Sequence, residues 1–509
     1  MKIRQLFANN TFRKWLFYDL CVFLCFMMFL HPLITSDHVW RYEVYATGSY
    51  DPFHGLTEVM KHGRITVLLH SCLEALLLPF GINFARNAFV FVLIGMALYA
   101  GAATILYELF KPETTDRLNA TVTDLAVLLA VVNPLMIETY RYKASNFAIG
   151  VFLAALSAYL LLRKKRLAGM VTGWLAVSSY QTNAQIILVI CFTYILLQML
   201  RRHFSVKDAV IKAFQYGFCA VALVVFNTLL QVMLANLAGS SGGEVYKVPQ
   251  IPKSLFTRLY GIYGYNGRLQ AVVNDLFGFF PQPRYLILWV AGILAVIVTA
   301  ELVFRQKRVK ELLVLAAGVA VLFVMPLAHC LAGGWTNERQ ILSFFFMLSG
   351  LFILSLNAAE GKSLTAVKCV LCAFALVTLF ATESGITDCF INQAVDEDEA
   401  KTIQNEIAAY EEKTGTEIRT IVFGGPQFEL RYFNEGLLVD YTEFVSTHRI
   451  MYDMWARGNY YNIVNGTEYV YENMTEEEYL EHFSGVPKDG FTPSGQMVFE
   501  GDTLYLLCY

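Results

Sequence analysis

Asp37 is a carboxylate placed a few positions beyond the first long apolar segment of this 509-residue chain. An acid set so close to the end of a transmembrane helix pays a desolvation cost unless it is partnered. Its position therefore calls for a functional explanation. A carboxylate at a membrane surface can take the proton of a hydroxyl group and so activate that hydroxyl as a nucleophile. Asp37 is therefore a candidate for such a base.

The segment that begins at Asp37 combines charged and aromatic side chains, a mixture that suits a sugar. Carboxylates and basic groups can bind sugar hydroxyls, and aromatic faces can stack on pyranose rings. For the aromatic residues, an interfacial belt at the membrane surface is the alternative explanation. The candidate substrate-binding residues of this segment are His38, Trp40, Arg41, Tyr42, Glu43, Glu58 and Arg64.

Three cations outside this segment are candidates for binding a phosphate group: Arg141, Lys143 and Arg339. Guanidinium and ammonium groups bind phosphate through charge-assisted hydrogen bonds. Each cation has an alternative role as an anchor to lipid headgroups. Tyr140, beside Arg141, and Gln181 complete the predicted substrate-binding set.

A metal site is weakly indicated. Asp37, His38, His54 and His62 could ligate a divalent cation, but their spacing is not typical of a metal centre. No nucleotide-binding fingerprint is present either. We assign no metal ligand and leave only a divalent cation open as a cofactor.

The elements that must position these residues are transmembrane helices. Hydrophobic residues make up 56% of the chain and charged residues 16%, which indicates a polytopic membrane protein. Basic clusters, such as Arg163 to Arg166, mark the cytoplasmic connections. They predict eleven crossings, near 14–34, 87–110, 123–139, 146–162, 167–181, 184–200, 214–237, 285–304, 311–331, 341–358 and 365–382.

This arrangement places the N-terminus in the cytoplasm and the polar loops outside. The long extracytoplasmic loops are 35–86 and 238–284, and short outer turns are expected at 139–146 and 181–184. The apolar piece from Ile65 to Phe80 is short and contains His70 and Glu74. We predict that it is a helix in the outer leaflet rather than a further crossing.

The C-terminal region has a different charge character. Residues 383–509 carry 24 acids and 7 bases, whereas residues 1–382 carry 18 acids and 32 bases. We predict a transmembrane domain over 1–382 and a small extracytoplasmic α/β domain over 383–509. Its predicted elements are an amphipathic helix over 396–413 and strands at 418–423 and 504–508. Cys389 and Cys508 could pair in an oxidising exterior or remain separate thiols.

Several short motifs resemble the Gtr type II glucosyltransferases, which modify the O-antigen and surface glycans of bacteria. These proteins belong to the C-type glycosyltransferase (GT-C) fold superfamily. The resemblance covers most of residues 1–200, with one departure: His38 stands where the family often has a second acid. The motifs are Ser36–Tyr42, Gly63-Arg64, Asn133-Pro134, Tyr140–Tyr142 and Ser179–Asn183.

The resemblance implies a GT-C-like fold in the bacterial plasma membrane. It also implies transfer of a sugar from undecaprenyl phosphate to a surface glycan outside the membrane, and glucose is the expected sugar. It implies an inverting displacement with Asp37 as base. The implied partners are the lipid-linked donor, the glycan acceptor and the lipid bilayer. A flippase and a donor-synthesising glycosyltransferase could act alongside, and no nucleic acid is involved. A polysaccharide transporter or flippase, and a glycan polymerase or ligase, are the alternatives.

Overall fold

The computed structural model describes residues 9–31, 33–34, 64–82, 87–113, 117–239, 286–327, 342–425, 449–452, 456–486 and 492–508. The chain forms two compact units. The first contains the described residues of Met1–Leu30 and Pro52–Glu383. The second contains the described residues of His31–Asp51 and Ser384–Tyr509.

The first unit is built from helices alone among its described residues. They are α1 (Asn10–Phe26), α2 (Val67–Leu77), α3 (Ala88–Phe110), α4 (Arg117–Leu128), α5 (Met136–Leu162), α6 (Arg166–Ser179), α7 (Asn183–Leu200), α8 (Val206–Gly239), α9 (Leu286–Ala300), α10 (Val309–Leu327), α11 (Ser343–Ala358) and the beginning of α12 (Gly361–Thr414). Short 3-10 turns follow α1 (Met27–Leu30) and α2 (Leu78–Phe80), and a π turn follows α9 (Glu301–Arg305).

Large apolar side chains cover the outside of this unit. Phe214 and Phe218 on α8 are 77% and 76% exposed, and Leu167 on α6 is 80% exposed. Water would penalise such a surface, whereas lipid tails accept it. Five helical segments in the described part are long and apolar enough to cross a bilayer: Ala88–Phe110, Ser145–Leu162, Asn183–Leu200, Val206–Met233 and the Gly361–Thr414 helix. The chain is a membrane protein.

Small residues bring α5, α6 and α7 into close contact. A Cβ atom at Gly150 would lie 2.6 Å from Ser179 Oγ, and one at Gly173 would lie 2.7 Å from Ser157 Oγ. Ser157 Oγ also donates to the carbonyl of Gly169, at 2.7 Å. Close approach of backbones is the usual way in which helices associate in lipid, where no hydrophobic force draws them together.

Basic side chains close one end of the bundle by binding helix carbonyls. Arg201 donates to Phe110 O and Lys111 O at the end of α3, and Arg308 donates to Leu200 O at the end of α7. Arg305 donates to the carbonyl of Glu360, just after α11. The last carbonyls of a helix lack partners within it and carry partial negative charge, so cations stabilise them. These helix ends therefore share one face of the unit.

A partly buried ion pair joins α1 to α4. Lys14 Nζ lies 2.5 Å from Asp124 Oδ2, and the hydroxyl of Tyr18 donates to Asp124 Oδ1 at 2.7 Å. The ammonium group also sits 4.1 Å from the centre of the Tyr107 ring on α3, a cation–π contact. One carboxylate thus organises three helices.

The predicted boundaries were wrong at four places, the first three of which lie before residue 147. The predicted crossing over 123–139 is interrupted, because α4 ends at Leu128 and a turn leads to α5. The predicted outer turn at 139–146 is instead helical, since α5 runs from Met136 to Leu162. The first helix ends earlier than residue 34, before the His31-Pro32 pair, because proline disfavours helix at the residue that precedes it.

The last helix is also longer than expected. Separate helices were predicted over 365–382 and 396–413, but α12 is a single helix from Gly361 to Thr414. The change from apolar to acidic composition near Glu383 suggested a break. A change of composition does not end a helix, however, when neither proline nor an αL residue interrupts it.

The second unit contains a four-stranded sheet of order β2-β1-β4-β3. Its elements are β1 (Thr420–Gly424), α13 (Arg457–Asn465), β2 (Val470–Asn473), α14 (Glu476–Phe483), α15 (Pro493–Gln496), β3 (Met497–Glu500) and β4 (Thr503–Leu507). β1 lies parallel to both β2 and β4, with Phe423 opposite Asn473 and Leu506, and β3 lies antiparallel to β4. The strands predicted at 418–423 and 504–508 correspond to β1 and β4, whereas the residues of the helix predicted over 396–413 form the last part of α12.

One face of the sheet packs on the last turns of α12. Ile403 and Ile407 lie in one core with Ile421, Tyr460 and Leu504. Arg449 is 2% exposed and forms ion pairs with Asp396, at 2.8 Å, and with Glu399. Cys508 is a buried thiol outside any disulfide, so it does not pair with Cys389, which is also buried.

We expect Asp124→Asn to lower the free energy of unfolding by about 2 kcal/mol, because Lys14 and Tyr18 lose a charged acceptor. Unfolding in mixed detergent micelles measures this change. Glu108→Gln is the control: its partner Lys111 is exposed, and loss of such a pair costs less than about 1 kcal/mol. Equal effects of the two substitutions would contradict an organising role for Asp124.

Candidate functional site

Asn133 and Pro134 lie between the end of α4 and the beginning of α5. Asn133 donates its side-chain amide to the carbonyls of Leu129, at 3.0 Å, and Ala130, at 3.3 Å. These bonds satisfy carbonyls beyond the end of α4, and Pro134 cannot continue a helix that needs its N–H. The chain then re-enters a helix at Met136.

Tyr140 packs in an aromatic cluster between α1, α3 and α5. Its ring stacks on Phe26, with 4.4 Å between centroids, and on Phe29, at 5.7 Å. Tyr99 lies 5.6 Å away, and its hydroxyl donates to Thr139 Oγ1 at 3.0 Å. The predicted substrate-binding Tyr140 is thus held in place by ring contacts on several sides.

The first three turns of α5 carry polar side chains that are buried inside the helical unit. Such burial is costly unless each group is hydrogen-bonded or binds a ligand. The buried polar residues there are Glu138, Thr139, Arg141, Ser145 and Asn146, and Tyr140 is 4% exposed. Tyr140 Oη, Ser145 Oγ and Asn146 Oδ1 find no hydrogen-bond partner within the described part of the chain. We name the buried polar side chains of this stretch, with Tyr140, the α5 polar layer.

The helix α2 has a buried polar face and an exposed apolar face. Val67, His70, Ser71 and Glu74 are buried, whereas Leu76 is 71% exposed. The buried positions recur at helical spacing, so they form one stripe. This stripe belongs to a helix that packs against α5, and the His70 ring lies 5.3 Å from Phe91 on α3. Polar groups that turn away from lipid in this way are typical of functional sites in membranes.

The chain just before α2 is tied to the turn between α6 and α7. Thr66 donates its backbone N–H to Ser178 O, at 3.3 Å, and its hydroxyl to Leu175 O, at 2.5 Å. Arg64 places its guanidinium 5.1 Å from the centre of the Tyr180 ring. Ser179 Oγ donates to Asn146 O at 3.2 Å, which connects this turn to α5.

The structure brings only some of the predicted site residues together. Tyr140 and Arg141 lie in the α5 polar layer, and Arg64 contacts the turn that also contains Gln181, which is exposed. Lys143 lies on α5, but its side chain is not described. The predicted residues that lie outside the described part are Asp37, His38, Trp40, Arg41, Tyr42, Glu43, Glu58 and Arg339.

Three buried groups were not among the predicted site residues. Glu138, Glu74 and His70 are 0%, 0% and 2% exposed. The available signal was the presence of ionisable residues inside apolar helical segments, where they are rare and usually face the protein interior. In the sequence, His70 and Glu74 indicate only that the segment from Ile65 to Phe80 is not a crossing.

The chemistry available in this region suits a polyhydroxylated, anionic ligand. Arginine binds phosphate and sugar oxygens, carboxylates accept hydrogen bonds from hydroxyls, and tyrosine offers both a ring and a hydroxyl. Within the described ranges, no group of three or more histidine, cysteine, aspartate or glutamate residues has an arrangement suited to a metal ion.

The family model described as Glucosyl transferase GtrII matches residues 72–356, which is more than half of the chain and includes α3 to α10 and most of α11. No curated protein and no solved structure matches the chain.

We expect Tyr140→Phe to leave the free energy of unfolding unchanged, because the ring contacts remain and the hydroxyl has no partner among the described residues. Tyr99→Phe is the matched substitution: it removes a hydrogen bond to Thr139 and should cost about 1 kcal/mol. Unfolding in mixed micelles compares the two. A larger loss in Tyr140→Phe than in Tyr99→Phe would show that the Tyr140 hydroxyl is structural.

Proposed function

The chain belongs to the GtrII glucosyltransferase family, and we propose that it moves glucose from a polyprenyl-phosphate carrier, undecaprenyl phosphate, to a cell-surface glycan on the extracytoplasmic face. The α5 polar layer carries this proposal. A lipid-linked donor keeps its phosphate at the membrane, so its enzyme needs cationic and polar groups on membrane helices. Arg141, 9% exposed among apolar helices, is such a group.

In the proposed reaction, Asp37 takes the proton of an acceptor hydroxyl. The hydroxyl oxygen then forms a bond to the anomeric carbon of glucose, while the bond from that carbon to the phosphate oxygen breaks. Its electron pair leaves with the phosphate, which Arg141, Lys143 and Arg339 stabilise as negative charge develops. Attack from the side opposite the leaving group inverts the configuration of the anomeric carbon.

The sugar and acceptor are held by the remaining predicted residues. Side chains with hydrogen-bonding groups fix the hydroxyls, and the rings provide stacking surfaces. Tyr140 and Arg64 support this assignment, since both belong to the polar region around α2, α5 and the α6–α7 turn. The proposed set is His38, Trp40, Arg41, Tyr42, Glu43, Glu58, Arg64, Tyr140 and Gln181.

We propose a GT-C-like transmembrane domain of eleven crossings, with the basic end of the bundle in the cytoplasm. The capping arginines Arg201, Arg305 and Arg308 support this orientation, because basic residues are enriched on the cytoplasmic side. The α5 polar layer lies at the opposite end of α5 from Arg163, so we assign it to the extracytoplasmic side. We separately propose that the acidic C-terminal region, residues 383–509, is extracytoplasmic.

We expect Asp37→Asn to reduce glucosyl transfer by at least about 100-fold, because the amide cannot accept the proton. The assay follows transfer from polyprenyl-phosphate glucose to surface glycan in membrane vesicles, with protein levels matched. Asp208→Asn is the control, since Asp208 is exposed and bonds only to Ser205 among its described hydrogen bonds. Transfer that persists in Asp37→Asn would rule out this residue as the base.

We expect Arg141→Gln to raise the apparent KM for the lipid-linked donor about tenfold, because the substitution removes one charge-assisted hydrogen bond. The KM for the acceptor should stay unchanged. Arg163→Gln, at the other end of α5 where the side chain is exposed, serves as the matched control. An unchanged donor KM in Arg141→Gln would exclude its role in phosphate binding.

A further inference from the structure

A second buried arginine lies in the C-terminal unit, at the carboxyl ends of its parallel strands. Arg457 is the first residue of α13 and is 1% exposed. Its Nη2 donates to Phe423 O, near the end of β1, and to Asn473 Oδ1, at the end of β2, both at 2.7 Å. Gly458 permits this close approach, because any Cβ there would collide with the ring of Tyr471.

Much of the guanidinium remains without acceptors. Nε and Nη1 are buried and find no hydrogen-bond partner among the described residues. The remaining contact is with an aromatic ring: Cζ lies 5.3 Å from the centre of the Phe423 ring. Because buried donors normally have partners, each unused N–H here is an unfavourable feature of the folded protein.

Arg449 differs from Arg457 in having carboxylate partners among the described residues. Both arginines are buried in the same unit, but Arg449 is paired with Asp396 and Glu399, and these carboxylates raise its pKa. Burial lowers the pKa of Arg457, and no carboxylate of the described residues opposes that effect. A buried charge without a counter-ion is strongly destabilising. The fold supplies counter-ions for Arg449, whereas the described residues supply none for Arg457.

We propose that Arg457 anchors an oxyanion-binding site in the C-terminal unit, which takes a phosphate or carboxylate group. The carboxyl ends of parallel strands are the usual place for ligands in open α/β sheets. The amino end of α13 adds partial positive charge to that of the guanidinium. An oxyanion would accept hydrogen bonds from Nε and Nη1 of Arg457, and its negative charge would balance the guanidinium. This site is separate from the proposed transfer reaction.

Hydrogen–deuterium exchange on the full-length protein in detergent micelles tests the proposal. Sodium phosphate and sodium glucuronate are titrated against sodium chloride of equal ionic strength, after incubation long enough for a buried site to open. We expect a saturable slowing of exchange in α13 and β2, about tenfold when the anion is present at ten times its Kd. Slowing by phosphate, by glucuronate or by both supports the site and identifies the group it prefers.

Two substitutions separate the site from general effects of salt. Arg457→Gln should abolish the slowing, whereas the exposed Arg419→Gln should retain it. Asn473→Asp places a carboxylate beside Nη2, so it should slow exchange without added anion and reduce the response to phosphate. The wild-type titration and Asn473→Asp remain decisive if Arg457→Gln fails to fold. Equal exchange in phosphate, glucuronate and chloride, or an anion response that persists in Arg457→Gln, would overturn the proposal.

Discussion

Polar groups on membrane helices must face protein, because lipid tails offer them no hydrogen bonds. The first unit follows this constraint throughout its described helices. Large apolar side chains such as Phe214, Phe218 and Leu167 face outward, while the polar face of α2 and the α5 polar layer are buried. The polar groups are consequently concentrated where α2, α5 and the α6–α7 turn meet. Lipid around the helices forces these polar groups into the interior of the unit, where they can bind a polar ligand together.

The two ends of the bundle use arginine differently. At the basic end, Arg201 and Arg308 bind helix carbonyls, so their charge is used to close the structure. Arg141 lies within the α5 polar layer, next to a tyrosine whose hydroxyl is not needed by the described fold. In the second unit, Arg449 is matched by carboxylates, whereas the described residues offer none to Arg457. The guanidinium of Arg457 is therefore available for a ligand.

Apolar length predicted many helices well. The crossings expected at 87–110, 184–200 and 341–358 agree with α3, α7 and α11 within about two residues. Polarity misled the prediction at 139–146, where the polar run was interpreted as a turn. Local sequence cannot show whether a polar side chain faces water or a buried layer, because that depends on contacts with α1, α2 and α3. For the same reason Glu138 and Glu74 were missed as site residues, although Arg141 and Tyr140 were chosen.

The central claim is that the α5 polar layer receives the lipid-linked donor. The most direct measurement is photocrosslinking with a polyprenyl-phosphate glucose that carries a photoreactive group near its phosphate, followed by mass spectrometry of the labelled peptides. We expect adducts on residues 136–146 and on α2, which excess unlabelled donor prevents. Adducts confined to the basic end, around Arg163 to Arg166, would contradict it.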